Sequence, residues 1–335
     1  MAEPVRELED LTLEGQRVRE RFLELVADIR PELHRYCSRM TGSVSEGEDL
    51  VQETLARAYY ALPELFSAPA LRPWLFRIAH HRAIDQLRSY ERRMGQPLAA
   101  NDEHVDPALD PEDALAREQA VRAALSRFVE LAPVQRSTVI LKDVLGHSLE
   151  DIATLLELSV PAIKAALHRG RRTLAASGRV QTLRSERVAS STLARYVALF
   201  NARDWDGLRA LLADDVRLDL VTRSQRAGRA EVGGYVSNYD ALQDWFLVAA
   251  TLDGREVIAV LRAPDDAQPA YFIELTWAAG RVSSIRDFRY VPYIAREADL
   301  CLNSTRPGEP QNAVLRGQGA RAWNVTDDGC DRVRR

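Results

Sequence analysis

The chain has 335 residues, 45 basic against 49 acidic, a net charge of −4 and 46% hydrophobic residues. That length predicts two or three domains, and the composition is that of a globular protein rather than a disordered or fibrous one. No apolar run approaches the roughly 20 residues of a membrane span, the charged N-terminus lacks a signal core, and Cys37, Cys301 and Cys330 form no CxxC pair, so a reduced, cytoplasmic protein with no metal site is expected. Apart from Lys142 and Lys164 every basic residue is arginine or histidine, and all six histidines lie in the first half, leaving the second half without imidazole for acid–base work.

Residues 15–93 read as helices. The first spans about 17–39, where Phe22, Leu25, Val26, Ile29, Leu33 and Tyr36 recur at helical spacing, and it ends near Gly42. The second opens on Ser45 and Glu48, three apart as in a capping box, and its inner face is Val51, Leu55, Ala58 and Leu62. A loop around Pro63 and Pro69 follows. The stretch from Arg72 to Arg93 then carries six arginines against Asp85 and Glu91. At about 100° per residue, Arg77, His81, Asp85, Arg88 and Arg92 share one side of a helix, and Phe76, Ala79, His80, Ala83, Ile84 and Leu87 share the other. Such a concentration of base in a net-acidic chain points to an anionic partner.

Between Asn101 and Glu118 there are seven acids and one base, with Pro107 and Pro111, which reads as an extended acidic linker. Residues 114–177 are helical again, and 149–175 have the cadence of a helix-turn-helix. The first helix buries Ile152, Ala153 and Leu156. A turn at Glu157 and Leu158 leads to Ser159 as N-cap. The second helix buries Ile163, Leu167, Gly170 and Leu174 and leaves Lys164, His168, Arg169, Arg171 and Arg172 for the outer surface. Such a helix fits the DNA major groove, with its first residues near base edges.

Residues 178–190 form a polar linker, after which the pattern changes. Short helices are expected at 191–202 and 205–213. Alternation then puts Val216, Leu218 and Leu220 on one face of a strand and Arg217 and Asp219 on the other. Further strands are expected at 245–252, 255–263, 269–278 and 281–290, with turns at Asp253-Gly254 and Ala279-Gly280. Helices followed by hairpins indicate an α+β fold. Residues 301–335 read as a loosely ordered tail.

Three phrases, in order, carry a resemblance: GEDLVQETLARAYYAL (47–62), RPWLFRIAHHRAIDQLR (72–88) and LAPVQRSTVILKDVLGHSLEDIATLLELSVPAIKAALHRGRRTL (131–174). Residues 20–177 resemble bacterial sigma factors of the extracytoplasmic-function (ECF) type. The resemblance implies a region-2 domain at 15–93, an acidic linker at 94–118 and a region-4 domain at 119–177. It implies docking on the clamp helices of core RNA polymerase through Asp49, Gln52 and Glu53, a contact with the polymerase flap, and promoter DNA as ligand. Arg72, Arg77, His81, Arg82, Asp85 and Arg88, with the loop 66–71, would hold the melted −10 strand. Ser159, Ala162, Lys164, Ala165, His168, Arg169, Arg171 and Arg172 would read the −35 element. His81 stands where the family often has asparagine. Trp74 and His80 fall on the packed side and are expected in the core.

Residues 191–220 and 253–294 resemble the cone-shaped α+β fold of SnoaL-like and ketosteroid-isomerase-like proteins. This domain is expected at 191–300, as a built-in regulator acting through a small ligand or an intramolecular contact rather than as an enzyme. Asp219, Asp287, Tyr235 and Tyr271 are the residues on which the enzymatic alternative would rest, although fold alone does not imply function. The fold expected for the whole chain is therefore two all-α domains, the second with a helix-turn-helix, followed by an α+β domain. The expected function is a sigma factor with no cofactor, no catalytic residues and no membrane contact. The rivals are a helix-turn-helix regulator and a SnoaL-like enzyme with a DNA-binding appendage.

Overall fold

The computed structural model describes residues 3–61, 71–94, 125–177, 189–236, 239, 245–253, 255–264, 266, 268–297 and 300–302. The chain divides into two compact units, Met1–Leu183 and Arg184–Arg335. The acidic linker, most of the loop 66–71 and residues 303–335 lie outside the described residues.

The first unit is helical: α1 (Glu3–Thr41), α2 (Val44–Ala61), α3 (Leu71–Met94), α4 (Leu125–Phe128), α5 (Pro133–Val139), α6 (Leu149–Leu156) and α7 (Val160–Ser177). A π-helical turn, Ile140–Val144, continues α5. Helix α1 starts earlier than its apolar periodicity suggested. Gly42, at φ +80°, takes the left-handed conformation that ends it. Gly47 of α2 sits so close to α1 that an added Cβ would lie 2.5 Å from the Ser38 Cα. Leu33, Tyr36, Met40, Val51, Leu75, Phe76 and Ala79 are fully buried between these helices. Leu25, expected inside, is exposed.

The capping box expected at Ser45 and Glu48 is not formed. Helix α2 begins two residues earlier, with the Ser43 hydroxyl accepting from the Glu46 N–H at 3.5 Å. Ser45 and Glu48 are both buried, and Glu48 forms an ion pair with Arg30 of α1. A carboxylate at that depth is held by its guanidinium partner rather than by a helix end.

A buried polar node joins α1, α3 and α5. Arg136 of α5 has no exposed surface, and its guanidinium donates to the carbonyls of Met40 (2.6 Å), Val129 (2.8 Å) and Leu131 (3.0 Å). Beside it, the Tyr36 hydroxyl, His80 Nδ1 and Ser137 Oγ lie 2.9–3.1 Å from one another. Burial pushes the His80 imidazole down to about 4, with the neighbouring His81 adding to the effect.

The second unit is α+β: α8 (Ser191–Asn201), α9 (Trp205–Leu211), β1 (Leu212–Leu220), β2 (Ser224–Ala227), α10 (Arg229–Val236), β3 (Phe246–Leu252), β4 (Arg255–Leu261), β5 (Tyr271–Ala278), β6 (Arg281–Asp287), α11 (Tyr293–Glu297) and β7 (Leu300–Leu302). The sheet order is β2-β1-β6-β5-β4-β3-β7, and the β1–β6 pair is parallel while the others are antiparallel. Ser190 and Asp204 cap α8 and α9 through side-chain oxygens that accept from Leu193 and Gly207. The Ala279-Gly280 turn has both φ angles positive, at 49° and 75°, as a two-residue hairpin requires. Val216, Leu218 and Leu220 face inward, as their alternation predicts, and meet α8 and α10. Asp287 lies on this same apolar face, opposite Leu220 on one neighbouring strand and Ile273 on the other. Burial raises its carboxyl to about 6. Strand β2 is not legible in the sequence because Ser-Gln-Arg-Ala is short, polar and mostly exposed.

These cores carry two predictions. Arg136→Ala leaves the Met40, Val129 and Leu131 carbonyls without their charged donor, so denaturant unfolding of the first unit should lose about 3 kcal/mol or more. The second unit's transition should stay in place, and a loss below about 1 kcal/mol would contradict the structural role. The two units should also respond oppositely to acid. Unfolded His80 binds a proton near pH 6.5 and the folded residue only near 4, so the first unit loses about 3 kcal/mol as pH falls through that window. Folded Asp287 keeps its proton to about 6 and the unfolded residue only to 3.8, so the second unit loses about 3 kcal/mol as pH rises from 4 to 6. The His80→Asn and Asp287→Asn variants should each flatten the slope of their own unit only, as read by unfolding at stepped pH.

Candidate nucleic-acid interface

Helix α3 is two-faced because its apolar residues recur every three to four positions. Trp74, Leu75, Phe76, Ala79, His80 and Ala83 are buried, while Arg72, Arg77, His81, Asp85 and Arg88 are exposed and Arg82 is half-buried. Trp74 and His80 are thus core residues. The basic face is tied to its neighbours by ion pairs. Arg72 pairs with Glu32 of α1. Arg82 bridges Glu53 of α2 and Asp85 one turn along, the latter at 3.2 Å. Asp85 therefore orients an arginine, whereas alone its charge would repel phosphate.

On α2, Asp49 and Glu53 are exposed and Gln52 is half-buried, its Nε2 donating to Glu48 at 3.5 Å. The acidic face of α2 and the basic face of α3 meet at the Arg82–Glu53 pair.

The helix-turn-helix forms from local signals. The Ser148 hydroxyl accepts from the Asp151 N–H at 3.0 Å and starts α6. Glu157, at φ 57°, ends it in the left-handed conformation. The Ser159 hydroxyl then accepts from the Ala162 N–H at 3.3 Å and caps α7, as expected. Inside α6 the fully packed residues are Ile152 and Leu155, with Ala153 and Leu156 half-buried. Gly170 is where α7 crosses α5, since an added Cβ would lie 2.6 Å from a Val139 methyl.

Of the α7 residues expected to face DNA, Ser159, Lys164 and Arg172 are exposed, and Ala162, Ala165, His168 and Arg169 are half-buried. Arg171 is a correction. Its side chain is 11% exposed and makes a two-pronged pair with the fully buried Asp143, at 2.9 Å from Nε and 2.7 Å from a terminal nitrogen. The reason is register: Arg171 lies four residues after Leu167 and three before Leu174, on the packed stripe. Charge suggested the surface for it, and spacing alone would have removed it. Sequence reasoning also missed Arg136, which sits in a segment without a clean apolar period, and Glu32, whose partners Arg72 and His147 are distant in sequence.

In the second unit, Asp219 points away from the apolar face and lies 3.7 Å from Arg286. Asp287, Tyr235 and Tyr271 instead line one cavity. Among the described residues no group of three or more His, Cys, Asp or Glu side chains could hold a metal ion, and no helix there is long and apolar enough to cross a membrane.

Residues 25–93 match the family model for sigma-70 region 2, and residues 118–174 match that for sigma-70 region 4. The ECF RNA polymerase sigma factor SigG of Mycobacterium tuberculosis is 31% identical over 292 residues, covering 77% of this chain and 78% of that protein. The ECF RNA polymerase sigma factor SigW of Bacillus subtilis is 28% identical over 161 residues, 46% of this chain and 86% of its own length. Among solved structures, the Mycobacterium tuberculosis ECF sigma factor SigJ covers 79% of this chain and 95% of its own, at 22% identity and a TM-score of 0.32. The match to SigG extends well past the helical unit, and with both sigma-70 regions in order the chain belongs to the ECF RNA polymerase sigma factors, which bind core RNA polymerase and direct initiation at promoters.

Proposed function

We propose that the chain docks on the polymerase clamp through Asp49, Gln52 and Glu53, and that α3 holds the melted −10 strand through Arg72, Arg77, His81, Arg82 and Arg88. In this reading Asp85 sets the position of Arg82. The −35 duplex is read by the exposed start of α7, with Ser159, Ala162, Lys164, Ala165 and His168 toward base edges and Arg169 and Arg172 toward phosphates. Arg171 is left out because Asp143 holds it. The observation that carries the reading is the two-faced α3 abutting the acidic face of α2, since one surface can then grip polymerase and DNA side by side.

The packed first unit has a consequence for initiation. The −10 and −35 elements lie roughly 25 base pairs apart, about 85 Å along the duplex at ~3.4 Å per pair. Yet α6 rests against α3, with the Phe76 and His147 rings 5.5 Å apart. To engage both elements at once, α4–α7 must leave α1–α3 and open the Arg136 node. We read the α+β unit as a regulator of this protein rather than an enzyme, acting in the cytoplasm where polymerase works.

Run-off transcription with sigma-free core polymerase tests the reading. Arg77→Ala should weaken open-complex formation and reduce the salt slope by about 0.7–0.9 for each phosphate that the arginine neutralises. Arg171→Ala should lower stability and leave the slope unchanged. Failure of the folded chain to support any transcript on its own promoter, or identical slopes for wild type and Arg77→Ala, would overturn these assignments. Removal of 184–335 should change transcript yield if the α+β unit regulates.

A further inference from the structure

Helix α2 carries an exposed stripe that continues past its acidic residues. At about 100° per residue, Asp49, Glu53, Ala56 and Tyr60 fall within about 60° of one another around the helix axis, and all four are exposed. Asp49 and Tyr60 differ by only about 20°, and at ~1.5 Å per residue they stand about 16 Å apart along the axis. The opposite side of the helix, Leu50, Val51, Thr54 and Ala58, is buried. The stripe therefore faces directly away from the core.

Tyr60 is 80% exposed, the most exposed large hydrophobic side chain among the described residues. One exposed apolar side chain means little by itself. This one is set apart by its surroundings. Its ring is held edge-on by Tyr59, with centroids 6.0 Å apart and planes at 80°. Tyr59 in turn leans on Phe22 of α1 at 6.3 Å, and Phe22 is buried. A row of rings thus runs from the core out to Tyr60 and backs it. Between Glu53 and Tyr60 the stripe holds only Ala56, so a surface lying along α2 can meet charge and ring together.

Charge and ring do different work. Exposed carboxylates speed and orient the approach of a basic surface but add little net affinity at a wet rim. A tyrosine ring offers a large apolar area with only two side-chain torsions to immobilise. The backing by Tyr59 reduces that cost further. The neighbours also select the partner. A base stacked on Tyr60 would carry its phosphate toward Asp49 and Glu53, and like charges repel. The stripe suits a protein surface that is basic at one end and apolar at the other.

We infer that Tyr60 is the apolar anchor of the α2 docking surface. The polymerase clamp lies along the stripe, with basic groups on Asp49 and Glu53 and an apolar pocket over the Tyr60 ring. The carboxylates set direction and register, and the ring supplies most of the grip. This inference rests on the reading of Asp49 and Glu53 as polymerase contacts and extends it by three helical turns.

The test titrates sigma-free core polymerase into the fluorescently labelled full chain at low and high salt. Tyr60→Ala should raise Kd about thirtyfold, which is ~2 kcal/mol, and by the same factor at both salts. Tyr60→Phe should stay within about threefold of wild type, because the ring and not the hydroxyl fills the pocket. Asp49→Ala and Glu53→Ala should weaken binding mainly at low salt. At 80% exposure the ring adds nothing to folding, so Tyr60→Ala should unfold at the wild-type denaturant midpoint. A lowered midpoint would make Tyr60 a packing residue and overturn the anchor. Unchanged affinity in Tyr60→Ala beside a loss in Asp49→Ala would sink the anchor and leave the acidic docking surface standing. Unchanged affinity in all three alanine variants would sink both. Normal core affinity with weakened open complexes in Tyr60→Ala would place the ring on a DNA base, which also contradicts the inference.

Discussion

The Arg136 guanidinium and the Tyr36–His80–Ser137 cluster hold the first unit together. Without them, α5 and the helices that follow would meet α1 and α3 mainly through apolar packing, with the His147–Glu32 contact at 3.5 Å beside it. A charge buried this far is costly unless its donors find acceptors; the two terminal nitrogens of Arg136 reach three carbonyls from two different segments, while its Nε has no partner among the described residues. The contact is therefore specific in position: Met40 is in the last turn of α1, and a shift by one residue would break the set. The node is polar, but it sits in an apolar core that runs on from α1–α3 into α4–α7. Opening the joint therefore exposes apolar surface as well as the hydrogen-bonding groups, which a partner would have to cover.

Periodicity made part of this molecule legible. The two faces of α3, the inward residues of β1 and the capped turn of the helix-turn-helix all follow from spacing, because one apolar partner surface decides which side is buried. Where polar groups do the packing, spacing misleads. Glu48 looked like a capping residue because it follows Ser45 by three, yet Arg30 draws it into the core. Arg171 looked like a DNA contact because it lies in an arginine cluster, yet Asp143, 28 residues earlier, holds it. The run Gln135, Arg136, Ser137 and Thr138 is entirely buried, which no apolar pattern could reveal. In each case the partner is distant in sequence, so the local signal lacks half of the information.

The second unit shows the same division on a sheet. The fold resemblance placed Asp219 and Asp287 among the carboxylates of interest, and alternation put Asp219 opposite Val216, Leu218 and Leu220 without telling which face lines the cavity. Strand register decides it: Asp287 pairs across to Leu220 and Ile273 on the apolar face, while Asp219 meets Arg286 on the other. The two acids, one turned to solvent and one sealed among tyrosines, have opposite electrostatic settings on adjacent strands of one sheet. Only the sealed one can respond to what fills the core.

If the first unit must open to span a promoter, its buried node sets how readily the protein engages both elements at once. The most direct test is the distance between spin labels at Asp28 of α1 and Thr154 of α6, both exposed, by double electron–electron resonance. The free chain should give one short distance, and addition of core polymerase and promoter DNA should lengthen it by tens of ångströms, on the scale of the ~85 Å between the two elements. An unchanged distance in a complex that still initiates transcription would contradict the account.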